Sequence, residues 1–139
     1  MIHLKKFNES SDQEITLTMN DVRGLKHNLG YRSNTDDSFL KNYRWTEDQL
    51  LVATPAYSKP QEWDGKQVQI YDLYTKSERY SSELGYAILI DGKVEYLLGI
   101  YEPHGCSLNA KRGVITAHGH EEIIKLWLDD GEFEEEHTR

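Results

Sequence analysis

Apolar and polar positions recur along this chain in short stretches, each predicting an element. Ile15, Leu17 and Met19 alternate with polar residues, the pattern of a strand with one buried face. After a turn at Asn20-Asp21, Val22, Leu25 and Leu29 recur at helical spacing. Gly30 stands where a glycine stops a helix, which predicts a helix over 20–29. Ser33-Asn34-Thr35-Asp36-Asp37 supplies an N-cap and an acidic first turn for a helix at 36–44, with Phe39, Leu40 and Tyr43 as its stripe. Thr46 and Gln49 make a capping-box pattern before Leu50, Leu51 and Val52, and Pro55 ends that segment. Residues 54–66, holding Pro55, Pro60 and Gly65, read as a loop that carries Tyr57 and Trp63.

The second half is more sharply patterned. Val68 and Ile70 alternate with glutamines, predicting a strand over 67–74. Two apolar runs, 84–90 and 93–101, are joined by Asp91-Gly92, a pair that tolerates the positive φ angles of a type I′ turn. A two-residue turn pairs Leu89 with Val94, Ala87 with Tyr96 and Gly85 with Leu98. Leu89, Val94, Tyr96, Leu98 and Ile100 then share a core face, and the other face, with Tyr86, Leu97 and Tyr101, needs partial cover. Val114 to Ala117 reads as one more strand. Ile123, Ile124, Trp127 and Leu128 predict an amphipathic helix over 120–129 with Gly131 as its stop. The expected fold is α+β: a central antiparallel sheet of 67–74, 84–90, 93–101 and 113–117, two to three short helices before it and one after it. One domain is expected over 1–131, followed by an acidic tail at 132–139.

Composition narrows the class. The 139 residues carry a formal net charge of −8 and a single cysteine, Cys106, so no internal disulfide forms and a reducing cytoplasm is expected. The apolar run Leu50 to Ala53 is too short to span a bilayer, and Lys5 and Lys6 are not followed by the apolar stretch of a secretion signal. Six carboxylates crowd positions 129–136, opposed only by Arg139. They form either a solubilising end or a phosphate-like surface for a basic partner. General duplex-DNA binding is not expected, because no long basic run exists.

Three groups offer chemistry. His104, Cys106, His118 and His120 are ligand types that zinc accepts, but their spacing matches no usual zinc pattern, and they serve equally as loop or capping residues. His118 or His120 beside Glu121 or Glu122 could act as an acid–base pair, or simply serve a helix start. Ser107 to Gly113 presents Lys111 and Arg112 on a polar loop. They could hold a phosphate while Tyr101 or His104 contacts a base, or be solvated. No phosphate loop or dinucleotide fingerprint occurs, and no cofactor is expected.

Two resemblances add context. The opening Met1-Ile2-His3-Leu4-Lys5-Lys6-Phe7-Asn8-Glu9-Ser10 resembles the short leaders of accessory proteins in large contractile-tailed bacteriophages, some of which are cut after a glutamate; Glu9 is the matching position. The strand, helices and hairpin of 14–117 are similar in layout to the first half of the GCN5-related acetyltransferase fold. Arg112-Gly113-Val114-Ile115 departs from that family's pyrophosphate motif, so acetyl-CoA binding is not implied.

The leading expectation is therefore a phage accessory protein that acts by binding, blocking a host or defence-system protein. Tyr57, Trp63, Tyr71, Tyr74 and Tyr80 are its candidate anchors, with semi-buried sheet aromatics as the alternative. The other expectations are a protein that sequesters a nucleotide signal, and a degenerate acetyltransferase-like or metal-assisted hydrolytic enzyme. A homo-oligomer fits any of them.

Overall fold

The computed structural model describes residues 13–28, 50–56, 59–76 and 81–137. They form two β-sheets rather than the expected α+β arrangement. The larger sheet contains β1 (Ile15–Leu17), β2 (Lys26–His27), β3 (Leu50–Pro55), β4 (Gln61–Trp63), β5 (Lys66–Lys76), β6 (Ser81–Ile90) and β7 (Lys93–Gly99). Its order is β1-β3-β5-β6-β7-β2, with β4 also on β5. The second is a meander of β8 (Cys106–Asn109), β9 (Val114–Gly119), β10 (Glu122–Trp127) and β11 (Glu132–His137). The expected strands thus occur as β5, β6, β7 and β9, but β9 belongs to the second sheet.

Among the described residues helix is reduced to α1 (Met19–Arg23), five residues long. Thr18 caps it: the Asp21 amide donates to Thr18 Oγ1 at 3.1 Å and the Thr18 amide donates to Asp21 Oδ2 at 2.9 Å. The helix expected over 20–29 stops at Gly24, because Lys26 and His27 leave it to pair in parallel with Tyr96 and Leu97. Asn28 fastens that edge. Its side-chain amide donates to the Gly99 carbonyl at 2.9 Å, and its Oδ1 accepts the Gly99 N–H at 2.7 Å. The helix expected at 36–44 lies outside the described residues. The helix expected over 120–129 is β10: Ile124 and Leu126 face inward, while Ile123, Lys125 and Trp127 face outward. Six residues between two turns suit a strand better than a helix, and an apolar run this short satisfies either period. Residues 132–137, expected as a tail, pair with β10 along its whole length. No helix among the described residues is long and apolar enough to cross a membrane.

Turn chemistry sets the hairpins. Asp91 (φ 51°) and Gly92 (φ 83°) make the expected type I′ turn, and Asp64 (φ 52°) and Gly65 (φ 75°) repeat it between β4 and β5, inside the segment expected to be loop. The β6–β7 register differs from expectation. A bulge next to Val94 leaves Glu95 without an opposite residue, so Ile88 pairs with Tyr96, Ala87 with Leu97 and Gly85 with Gly99. Val94 and Leu97 consequently share one face with Ala87 and Leu89, and Tyr96, Leu98 and Ile100 lie on the other. At Gly85 (φ 147°) a Cβ would strike the Leu98 carbonyl, so the close strand approach there requires glycine.

The large sheet is buried on both faces, which explains the unbroken apolar run 86–90. One face carries Leu17, Leu51, Ala53, Tyr71, Leu73, Ala87, Leu89 and Leu97, overlaid by Val22 and Leu25. The other carries Val68, Ile70, Tyr86, Ile88 and Leu98 and meets Leu108, Ile115, Ala117, Ile124 and Leu126 of the second sheet. The second sheet spends its inner face on this core and leaves its outer face to solvent.

Candidate functional site

Strand alternation decides what that outer face displays. With Cys106, Leu108, Ile115, Ala117, Ile124 and Leu126 in the core cluster, Ser107, Asn109, Thr116, His118, Lys125 and Trp127 point outward. Two cross-strand rows result: Ser107–Thr116–Lys125–Glu134 and Asn109–Val114–Trp127–Glu132. A groove of about 630 Å³ runs over them, and Lys111 and Arg112 stand at its mouth.

The hairpin tip Ala110–Gly113 holds these two cations in place. The Gly113 N–H donates to the Asn109 carbonyl at 2.8 Å, and the Arg112 N–H donates to Asn109 Oδ1 at 3.1 Å. Gly113 has φ 66°, and its Cα sits so close to the Trp63 indole that a Cβ would come within 2.5 Å of Nε1. Arg112 lies over the Trp127 ring, 5.4 Å from its centroid, and the Trp127 indole N–H donates to Glu134 Oε2 at 2.6 Å. The indole is thus fixed at one edge and covered on one face by a guanidinium. Lys125 Nζ lies 3.5 Å from Glu136 Oε2, both exposed, a pair that contributes little to stability and parts readily. The face offers an oriented aromatic plane, three nearby cations and the short polar side chains of Ser107, Asn109 and Thr116, with Glu134 and Glu132 ending the two rows on the β11 side. That is equipment for stacking and for holding negative charge.

The residues expected from the sequence are distributed as follows. Lys111 and Arg112 are in the groove. Tyr101 is at the far end of β9, about 20 Å away at the usual strand rise; its ring packs edge-on against His120 at 5.8 Å and its N–H donates to Glu122 Oε1 at 3.0 Å. His104 extends the β8–β9 pairing, its N–H donating to the His118 carbonyl at 2.9 Å. The structure therefore does not bring Tyr101 to the two cations.

The four candidate metal ligands do not converge either. Cys106 points into the core and His118 out to solvent. His120 occupies the next turn, exposed, with Nδ1 3.7 Å from Glu102 Oε2 and Nε2 3.9 Å from Glu121 Oε2. Among the described residues no group of three or more His, Cys, Asp or Glu could hold a metal ion. Burial, helped by the charge of Asp72, pushes the Cys106 thiol up to about 12. Glu122, proposed as a partner for the histidines, is buried and receives the Tyr101 amide instead.

Of the aromatic anchors, Tyr71 is fully buried and unavailable to any partner. Trp63 is half-buried beneath Lys66, whose Nζ is 5.8 Å from its ring. Tyr74 is half-buried and donates its hydroxyl to Glu14 Oε1 at 3.4 Å. Tyr57 and Tyr80 lie outside the described residues. Missing from the expected set were Trp127 and Lys125, which a strand reading of Ile123-Ile124-Lys125-Leu126-Trp127 would have placed on one exposed face, and Thr116, which lies opposite Lys125 on β9. Comparison of the chain with family models, with curated proteins and with solved structures gives no match.

Proposed function

We propose that this is a binding protein whose outer sheet face takes an anionic ligand with a planar ring, in chemical class a nucleotide. The observation that carries the reading is the juxtaposition, in one groove, of the oriented Trp127 indole with Lys111, Arg112 and Lys125. A base stacks on the indole, and the Arg112 guanidinium exchanges the ring for the phosphate, trading a cation–π contact for a charge-assisted pair. Stacking on an aromatic side chain contributes about 1–3 kcal/mol per base. The base platform is thus Trp127, in place of Tyr101 or His104.

Within this reading the resemblance of residues 1–10 to phage leaders supports a phage accessory protein that withdraws a nucleotide signal from the host cytoplasm. Direct capture of a host or defence-system protein has the same resemblance in its favour, but of its described aromatic anchors Tyr71 is buried and Trp63 and Tyr74 are half-buried. The test is calorimetric titration of the full chain with the four nucleoside 5′-monophosphates. At least one binds, Trp127→Leu and Arg112→Ala each weaken it about tenfold or more, and Tyr101→Ala leaves it unchanged. No binding of any mononucleotide, or equal affinity in Trp127→Leu, refutes the proposal.

A further inference from the structure

A second groove, of about 440 Å³, lies directly beside the first, between the turns that join β4 to β5 and β6 to β7. It has the same construction: an indole, Trp63, with Lys66 over its ring, and Lys93 and Tyr96 along its wall. The two grooves are divided by a ridge formed from two pairs of consecutive residues. Arg112 and Trp127 line the first groove. Their successors Gly113 and Leu128 stand on the other side, Gly113 against the Trp63 indole and Leu128 in the wall of the second groove. The ridge is tied by the Leu128 N–H, which donates to the Gly113 carbonyl at 2.8 Å. Consecutive turn-flanking residues thus serve both grooves, Arg112 and Trp127 on the outer face and Gly113 and Leu128 on the side of the inter-sheet core.

The geometry points to one ligand that occupies both grooves: a dinucleotide whose two bases stack on Trp127 and Trp63 while its linking phosphate crosses the ridge beside Lys111 and Arg112. This deepens the nucleotide reading and rests on it. Both platforms carry their own cation, so each end of the ligand meets an indole and a positive charge. The surroundings favour a short free ligand over a nucleic-acid strand. Asp91 and Glu95 line the second groove, Asp129 and Asp130 follow Leu128, and the chain as a whole is at −8, so phosphates beyond the ridge meet carboxylates.

The experiment is calorimetry on the full chain with three sets of probes at fixed salt: the four nucleoside 5′-monophosphates, the four 5′-phosphorylated homodinucleotides, and twelve-residue homopolymers of the same bases. One dinucleotide is expected to bind at one per chain and at least tenfold more tightly than its mononucleotide. Trp63→Leu should remove that gain, the ratio of dinucleotide to mononucleotide affinity falling to about one whatever the lost Gly113 contact does to the mononucleotide affinity itself. Lys66→Ala, at an exposed position, should reduce the gain without touching the core. Mononucleotide binding with no dinucleotide gain, or a gain that survives both variants, overturns the two-groove inference and leaves the single-groove reading standing. Affinity that rises further with the twelve-residue probes overturns it in favour of a nucleic-acid strand. Absence of binding by mononucleotide and dinucleotide alike refutes both readings.

Discussion

Asn28 offers the most direct test of how the large sheet is closed. It is 2 % exposed, and its amide group stands in for one more residue of β2, giving and receiving a hydrogen bond with the buried Gly99. Asn28→Ala removes both bonds and leaves the Gly99 N–H and C=O without those partners in the interior. Each such bond contributes about 0.5–1.5 kcal/mol, and each stranded buried group costs about 1–3 kcal/mol, so partial relaxation puts the loss near 3 kcal/mol. With a urea m-value of about 2 kcal/mol/M, the unfolding midpoint should fall by about 1.5 M. Asn28→Asp separates the two bonds. Its carboxylate still accepts the Gly99 N–H, but its second oxygen faces the Gly99 carbonyl, where only a protonated carboxyl can donate. Its folded pKa is therefore raised above the unfolded value of about 3.9. The stability it contributes is present below that value and lost as pH rises through the folded pKa. Urea melts of the three proteins at pH 3.5 and pH 7 provide the assay. A midpoint shift below about 0.5 M for Asn28→Ala would refute the bracket, and an Asn28→Asp deficit independent of pH would refute the assignment of donor and acceptor.

Two further outcomes follow from the packing. Burial pushes both the Cys106 thiol and the Tyr86 phenol up to about 12, so the stability they lend is whole below the unfolded thiol value of about 8.5 and declines as pH rises toward 12; the urea midpoint should drop between pH 8 and pH 10.5, less steeply in Cys106→Ala, and a flat profile would contradict it. Glu132, Glu134 and Glu136 keep charge along the outer edge strand β11, so replacing all three by Thr should produce self-association in sedimentation runs, whereas an unchanged sedimentation coefficient would show that the charges do not guard that edge.

What the sequence disclosed depended on how local each signal was. Asp91-Gly92 announced its hairpin because a type I′ turn is written into two adjacent residues. Asp64-Gly65 says the same thing but flanks a three-residue strand, β4, too short to show alternation. The bulge at Glu95 leaves no local mark: strand register is settled by which face finds cover, and the cover is a sheet that begins later in the chain. The error at β10 follows from a run that fits both periods, and it carried the site with it. On a helix Trp127 shares a face with Ile123, Ile124 and Leu128; on a strand it shares one with Lys125 and Ile123. Lys111 and Arg112 could be placed on a loop from the sequence, because they are adjacent cations in a polar run that ends at Gly113 ahead of a strand. Their ring partner was visible only once the period of its element was known.

The connectivity of the two sheets implies an order of assembly. Every pairing in the second sheet joins neighbours in sequence, closed by loops of two to four residues. The edge of the first sheet is different in kind, since Asn28 reaches Gly99 across 71 positions. Closing a loop of that length rather than a tight turn forfeits about 3 kcal/mol of chain entropy before any contact is gained. The β8–β11 meander and the β4–β7 hairpins are therefore the early structure, and β2 is added to a sheet already formed. On this ordering the outer face, with its indole and its cations, exists before the amino-terminal edge is sealed. Lesions at Asn28 should speed unfolding while leaving the folding rate nearly unchanged.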